Sequence, residues 1–149
     1  MNEYRKILLM AVNNEIEAYE FYEGAAAKTA NKALKSIFVE LADEELKHQR
    51  LLESFLVEEG KKLKFAETAD YKIAETVELP RLSVQMSFVD AIALAMKKEE
   101  EAMTMYRNFA EASSDPEQKE MFTQLARMEQ GHKTRLEALY TDTAFVEAW

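Results

Sequence analysis

Phe38–Glu53, FVELADEELKHQRLLE, and Phe122–Glu137, FTQLARMEQGHKTRLE, carry one skeleton: Phe, then Leu-Ala, then Glu-x-x-His, then Leu-Glu. Residues three apart on an α-helix share a face, so Glu45 and His48 point the same way, as do Glu129 and His132. Each pair offers a carboxylate and an imidazole to one metal ion from one side. The chain has only two histidines, and 23 of its 149 residues are Glu. An accidental Glu three residues before both histidines has odds of roughly one in forty.

The copies lie 84 residues apart, and sliding the chain by that offset extends the match without a gap. Over 11–53 against 95–137, 14 of 43 positions are identical, where about three are expected at random. Ala11/Ala95, Glu15/Glu99, Ala18/Ala102 and Tyr22/Tyr106 join the motif residues in this set. The pattern is a duplicated helical hairpin; two units are too few for a solenoid, which needs at least three to bury a core.

A chain of 149 residues suits one domain with a real core. Three Gly and two Pro, among abundant Ala, Leu, Glu, Lys and Met, favour helix over strand, so the expected class is all-α. A net charge of −9 without a basic stripe disfavours nucleic acid and anionic membrane surfaces as partners. With no cysteine, disulfides, thiolate zinc sites, iron-sulfur clusters and cysteine nucleophiles are excluded, and any metal must sit on oxygen and nitrogen. The start, MNEYRKILLMAVNNE, has too short an apolar run for a signal peptide or membrane span, so the cytoplasm is the expected compartment.

Apolar residues at spacings of three and four predict a first helix over about 2–28, with Leu8, Ala11, Glu15, Ala18, Tyr22 and Ala25 on one stripe. Glu17, Glu20 and Glu23 fall beside it and read as solvated charges. After a capping break at 29–31, a second helix over about 32–59 lines up Leu34, Phe38, Leu41, Glu45, His48, Leu52 and Phe55, and Gly60 stops it. Periodicity fades over 61–86, which is long for a link between packed helices. A link of that size can run the roughly 40 Å length of the bundle and start the third helix parallel to the second, the crossover expected here.

Ser87 to Asp90 reads as a capping box opening a third helix over about 87–113, with Ile92, Ala95, Glu99, Ala102, Tyr106 and Phe109 inward. Asp115 as N-cap and Pro116 at the first position open the fourth, over about 115–140, with Phe122, Leu125, Glu129, His132, Leu136 and Leu139 inward. Gly131 costs that helix about 1 kcal/mol relative to Ala, which suggests close packing there. Residues 141–149 read as a capping tail, with Phe145 and Trp149 covering an apolar edge or a subunit partner.

Glu15, Glu45, Glu99 and Glu129 in one core are prohibitive unless neutralised, because isolated buried carboxylates protonate or unfold the bundle. Two divalent cations balance the four charges, and two imidazoles add neutral donors. One Glu-x-x-His from each of two helices and one Glu from each of the others is the arrangement of ferritin-like di-iron or di-manganese bundles. Glu45 and Glu129 are the expected bridging carboxylates, Glu15 and Glu99 the terminal ones, and His48 and His132 one nitrogen ligand for each metal. Iron or manganese suits this donor set and zinc would also bind; iron is favoured for its redox chemistry. Tyr22 and Tyr106, two turns beyond Glu15 and Glu99, serve either as core packing or as hydrogen-bond donors to a ligand carboxylate. Met86, Met96, Met103, Met105, Met121 and Met128 read as core filler.

Through Glu15 with Tyr22, Glu45-Leu46-Lys47-His48, Glu99 with Tyr106, and Glu129-Gln130-Gly131-His132, the chain resembles the rubrerythrin branch of the ferritin-like superfamily over about 3–140. The resemblance implies a non-haem di-iron four-helix bundle, a homodimer or larger homo-oligomer, that reduces hydrogen peroxide or dioxygen and protects against oxidative stress. Rubrerythrins proper end in a four-cysteine rubredoxin-like domain; without cysteine, electrons are expected from a separate donor protein. Their further glutamate on the third helix has no counterpart, since Ala102 stands three residues after Glu99. The remaining set looks equally like a bacterioferritin ferroxidase centre, so iron handling is the alternative, and a structural metal-bound bundle the third reading. Leu46 stands where a bacterioferritin would place its haem-ligating methionine, so haem is not expected.

Overall fold

The computed structural model describes residues 3–57, 82 and 85–143, and these form four α-helices: α1 (Glu3–Lys28), α2 (Lys32–Val57), α3 (Phe88–Ala112) and α4 (Pro116–Thr143). Local chemistry sets the boundaries. Asn31 Oδ1 accepts the Ala33 and Leu34 N–H groups at the start of α2, Ser87 Oγ accepts the Asp90 N–H at the start of α3, and Asp115 Oδ2 accepts the Gln118 N–H at the start of α4. At its far end α3 closes through Ser113, whose N–H reaches the Phe109 carbonyl at 3.0 Å. The fourth helix runs past the expected end near residue 140, to Thr143, and the Thr141 hydroxyl donates to the Glu137 carbonyl one turn back. The remaining tail, with Phe145 and Trp149, lies outside the described residues.

Helices α1 and α2 form one hairpin and α3 and α4 the other. The apolar core falls into two clusters. One gathers Tyr22, Ala25, Phe38, Leu41, Ile92, Ala95 and Leu136; the other gathers Leu8, Ala11, Leu52, Tyr106, Phe109, Phe122 and Leu125. The second half of α1 thus shares an end of the bundle with the first halves of α2 and α3 and the second half of α4. Helix α3 is therefore parallel to α2 and antiparallel to α1, and α2 ends at the opposite end of the bundle from the start of α3. The expected crossover over 61–86 lies outside the described residues apart from Leu82, Gln85 and Met86.

The duplication is visible in the packing. Tyr22 stacks on Phe38 with centroids 6.3 Å apart at 18°, and the equivalent Tyr106 stacks on Phe122 at the same distance and angle. Such fully buried aromatics anchor the core; truncating Phe38 or Phe122 to Ala would cost about 3–5 kcal/mol. Among the described residues no helix is long and apolar enough to cross a membrane.

Three expectations are corrected. Met128, expected as core filler, is 38% exposed. Gly131 is exposed, and a Cβ added there meets nothing within 4 Å, so no close packing requires it. Glu17 is not a solvated charge: its Oε1 accepts the Leu82 N–H at 2.7 Å and the Lys98 ammonium at 2.6 Å. It ties residue 82 and α3 to the side of α1.

Candidate metal centre

Between the two apolar clusters lies a polar layer. Glu15 from α1, Glu45 and His48 from α2, Glu99 from α3, and Glu129 and His132 from α4 are all 1–3% exposed. All six side chains named from the sequence meet here. Their donor atoms form two groups, each with atoms within 4.8 Å of one another: Glu15, Glu45, His48 and Glu129, and Glu45, Glu99, Glu129 and His132. Glu45 and Glu129 belong to both groups, while each of the others belongs to one.

The geometry follows the repeat. His48 Nδ1 lies 3.0 Å from Glu129 Oε1, 3.3 Å from Glu45 Oε1 and 3.6 Å from Glu15 Oε2. His132 Nδ1 lies 3.4 Å from Glu45 Oε1 and 3.6 Å from both Glu99 Oε2 and Glu129 Oε1. The rings stand nearly parallel, 6.2 Å apart at 14°. Tyr22 donates to Glu99 Oε1 at 2.6 Å and Tyr106 donates to Glu15 Oε1 at 2.5 Å. The phenols therefore serve carboxylates, and each crosses to the other hairpin to do so.

Sequence reading missed one participant. His132 Nε2 contacts the carboxylate of Glu44, whose side chain is 25% exposed. Only its position directly before Glu45 hinted at this, because its partner lies 88 residues away on α4.

The six groups of the layer act strongly on one another's protonation. Burial pushes the Glu45 and Glu129 carboxyls well above the usual range, and the neighbouring carboxylates push further. Burial also acts to raise Glu99, but contacts with Glu129 and His132 outweigh it and hold Glu99 below its ordinary value. Burial acts to lower both imidazoles, yet Glu129 and Glu15 bring His48 up to about 10, and Glu99, Glu129 and Glu44 bring His132 up to about 10. Desolvation, then the adjacent carboxylates, raises the phenols of Tyr22 and Tyr106 well above normal.

Glu15 Oε2, Glu45 Oε1, Glu99 Oε2, Glu129 Oε1 and the Nδ1 atoms of His48 and His132 are buried without a hydrogen-bond partner. Each such atom costs about 1–3 kcal/mol, more when charged. Six of them converging from four helices fit a pair of cations and fit nothing apolar. The outer oxygens of Glu15 and Glu99 are already held by the phenols, so the free oxygens face the layer. Hard oxygen and imidazole nitrogen are the donors for a first-row divalent metal.

Fold and site together define a ferritin-like four-helix bundle with a carboxylate-histidine centre able to hold metal. Residues 6–140 match the family model described as rubrerythrin, and the chain belongs to that family. A rubrerythrin from Porphyromonas gingivalis is 30% identical over 140 residues, 90% of this chain and 64% of that protein, so the chain spans just under two thirds of that relative's length. A solved structure from Pyrococcus furiosus, titled as a hypothetical protein, is 34% identical with a TM-score of 0.72, covering 96% of this chain and 91% of that one.

Proposed function

We propose that this chain is an oxidoreductase whose carboxylate-histidine layer holds two iron ions and reduces hydrogen peroxide, with electrons delivered by a separate donor protein. The sharing of Glu45 and Glu129 between the two donor groups carries this reading, because a carboxylate common to both positions is what a bridged pair of metals requires.

Bound iron would supply the electrons for H2O2 + 2 e⁻ + 2 H⁺ → 2 H2O, a chemistry no side chain here performs alone. The protein does the rest. Glu15 with His48 would hold one ion and Glu99 with His132 the other, with Glu45 and Glu129 common to both. The phenols of Tyr22 and Tyr106 hold the outer oxygens of Glu99 and Glu15, so those carboxylates keep one orientation as charge at the centre changes. Phe38 and Phe122, stacked on those tyrosines, exclude bulk water from either side.

The test is metal analysis of protein purified without added metal, then anaerobic mixing of the di-ferrous form with peroxide. Two irons per chain and rapid oxidation, with turnover on adding a reductant, are the expected results; no reaction with peroxide would defeat the proposal. Ala102, in place of a further acid one turn after Glu99, favours a second reading in which the centre oxidises Fe(II) for storage. Storage needs a hollow multi-subunit shell, so a dimer-sized mass in light scattering decides against it.

A further inference from the structure

The two halves of the centre are not equivalent, and the difference traces to one pair of positions. Across the 84-residue repeat, Glu44 on α2 corresponds to Met128 on α4. His132 turns Nδ1 toward Glu45, Glu99 and Glu129 and Nε2 onto the Glu44 carboxylate. His48 turns Nδ1 toward Glu15, Glu45 and Glu129, but its Nε2 is buried with no hydrogen-bond partner. The thioether at 128, 38% exposed, supplies neither an anion nor a strong acceptor.

A carboxylate accepting the outer N–H of a metal-binding imidazole fixes its tautomer, locks the ring plane and makes the ligating nitrogen more basic. An imidazole without that partner lacks this fix on its tautomer and this gain in basicity. We infer that Glu44 is a positioning residue that makes the Glu45/Glu99/Glu129/His132 position the tighter of two unequal metal sites, filled before the Glu15/Glu45/His48/Glu129 position. This rests on the dinuclear reading above. Partners of this kind change metal affinity by about 10–100-fold when removed, which sets the expected gap.

The test is calorimetric titration of metal-free protein with Co(II), followed in parallel by the cobalt absorption bands. Wild type should bind two ions in separable steps about 10–100-fold apart. Glu44→Ala should weaken the first step by that factor and leave the second in place, so that the steps merge. Met128→Glu, which places a carboxylate at the equivalent position of the other half, should tighten the second step, a gain that a merely structural role for Glu44 does not foresee. Circular dichroism checks that each variant is folded. Two equal sites in wild type, or constants unmoved by Glu44→Ala and Met128→Glu, would overturn the inference while leaving the dinuclear reading intact. No Co(II) binding by wild type would overturn both.

Discussion

Raising the pH should weaken the metal-free protein and spare the metal-loaded one. In the metal-free fold His48 and His132 titrate at about 10, against 6.5 in an unfolded chain. Between those values the folded state holds two protons that the unfolded state has lost, so folding stability falls as pH rises. The stabilisation is fully present below pH 6.5 and is gone above about 10. Each imidazole contributes a slope of roughly 1 kcal/mol per pH unit in mid-window. From pH 7.5 to 8.5 the pair therefore removes on the order of 1–2 kcal/mol, a noticeable share of the 5–15 kcal/mol typical of a domain. Glu45 and Glu129, also raised, act with the same sign from pH 4.5 upward. Glu99, lowered, acts oppositely, but its contribution is lost only as pH falls through its folded value, outside this window.

Metal reverses the dependence. Ligands must be deprotonated to coordinate, so the loaded fold has already released those protons, and its stability should be flat above pH 6.5 and rise with pH below it. Urea denaturation followed by circular dichroism, with chelator and with saturating metal, separates the two cases. A metal-free stability that is flat or rises between pH 7.5 and 8.5 would refute the account of six mutually compensating buried groups.

The remaining predictions concern single side chains. Gly131→Ala should raise stability by about 0.5–1 kcal/mol, read from the urea midpoint, since the site is helical and a Cβ meets nothing there. Glu17→Ala should lower stability by about 1.5–3 kcal/mol, because it removes a charged acceptor serving both the Leu82 N–H and Lys98. Tyr22→Phe and Tyr106→Phe should each weaken one metal position by about 10–100-fold in a titration, the first acting through Glu99 and the second through Glu15. A Tyr22→Phe protein whose Co(II) constants match wild type would reduce that phenol to packing.

What could be read in advance was whatever is local and repeated. Glu45 and His48, or Glu129 and His132, lie one helical turn apart, so their shared face follows from helix geometry alone. The offset of 84 then tied Glu15 to Glu99 and Tyr22 to Tyr106. The role of the phenols stayed open because it depends on which helix each one meets. Only the antiparallel contact of α1 with α3 brings Tyr22 to Glu99 and Tyr106 to Glu15. Gly131 was misjudged because helix propensity says nothing about what lies opposite a residue, and Glu17 because its partners lie 65 and 81 residues away.

Glu44 was illegible for a more particular reason. Periodicity and duplication detect what the two halves have in common, and Glu44 is where they differ. In the Asp43-Glu44-Glu45 run only Glu45 keeps step with the apolar stripe, so helix periodicity gives Glu44 no mark. Yet a symmetric centre would hold its two cations alike, and unequal metal positions require that the repeat be broken next to the ligands. Comparison of the two halves, position by position around each histidine, is therefore where the division of labour between the metals would be found: Glu44 lies against His132, and Met128 takes its place in the other half.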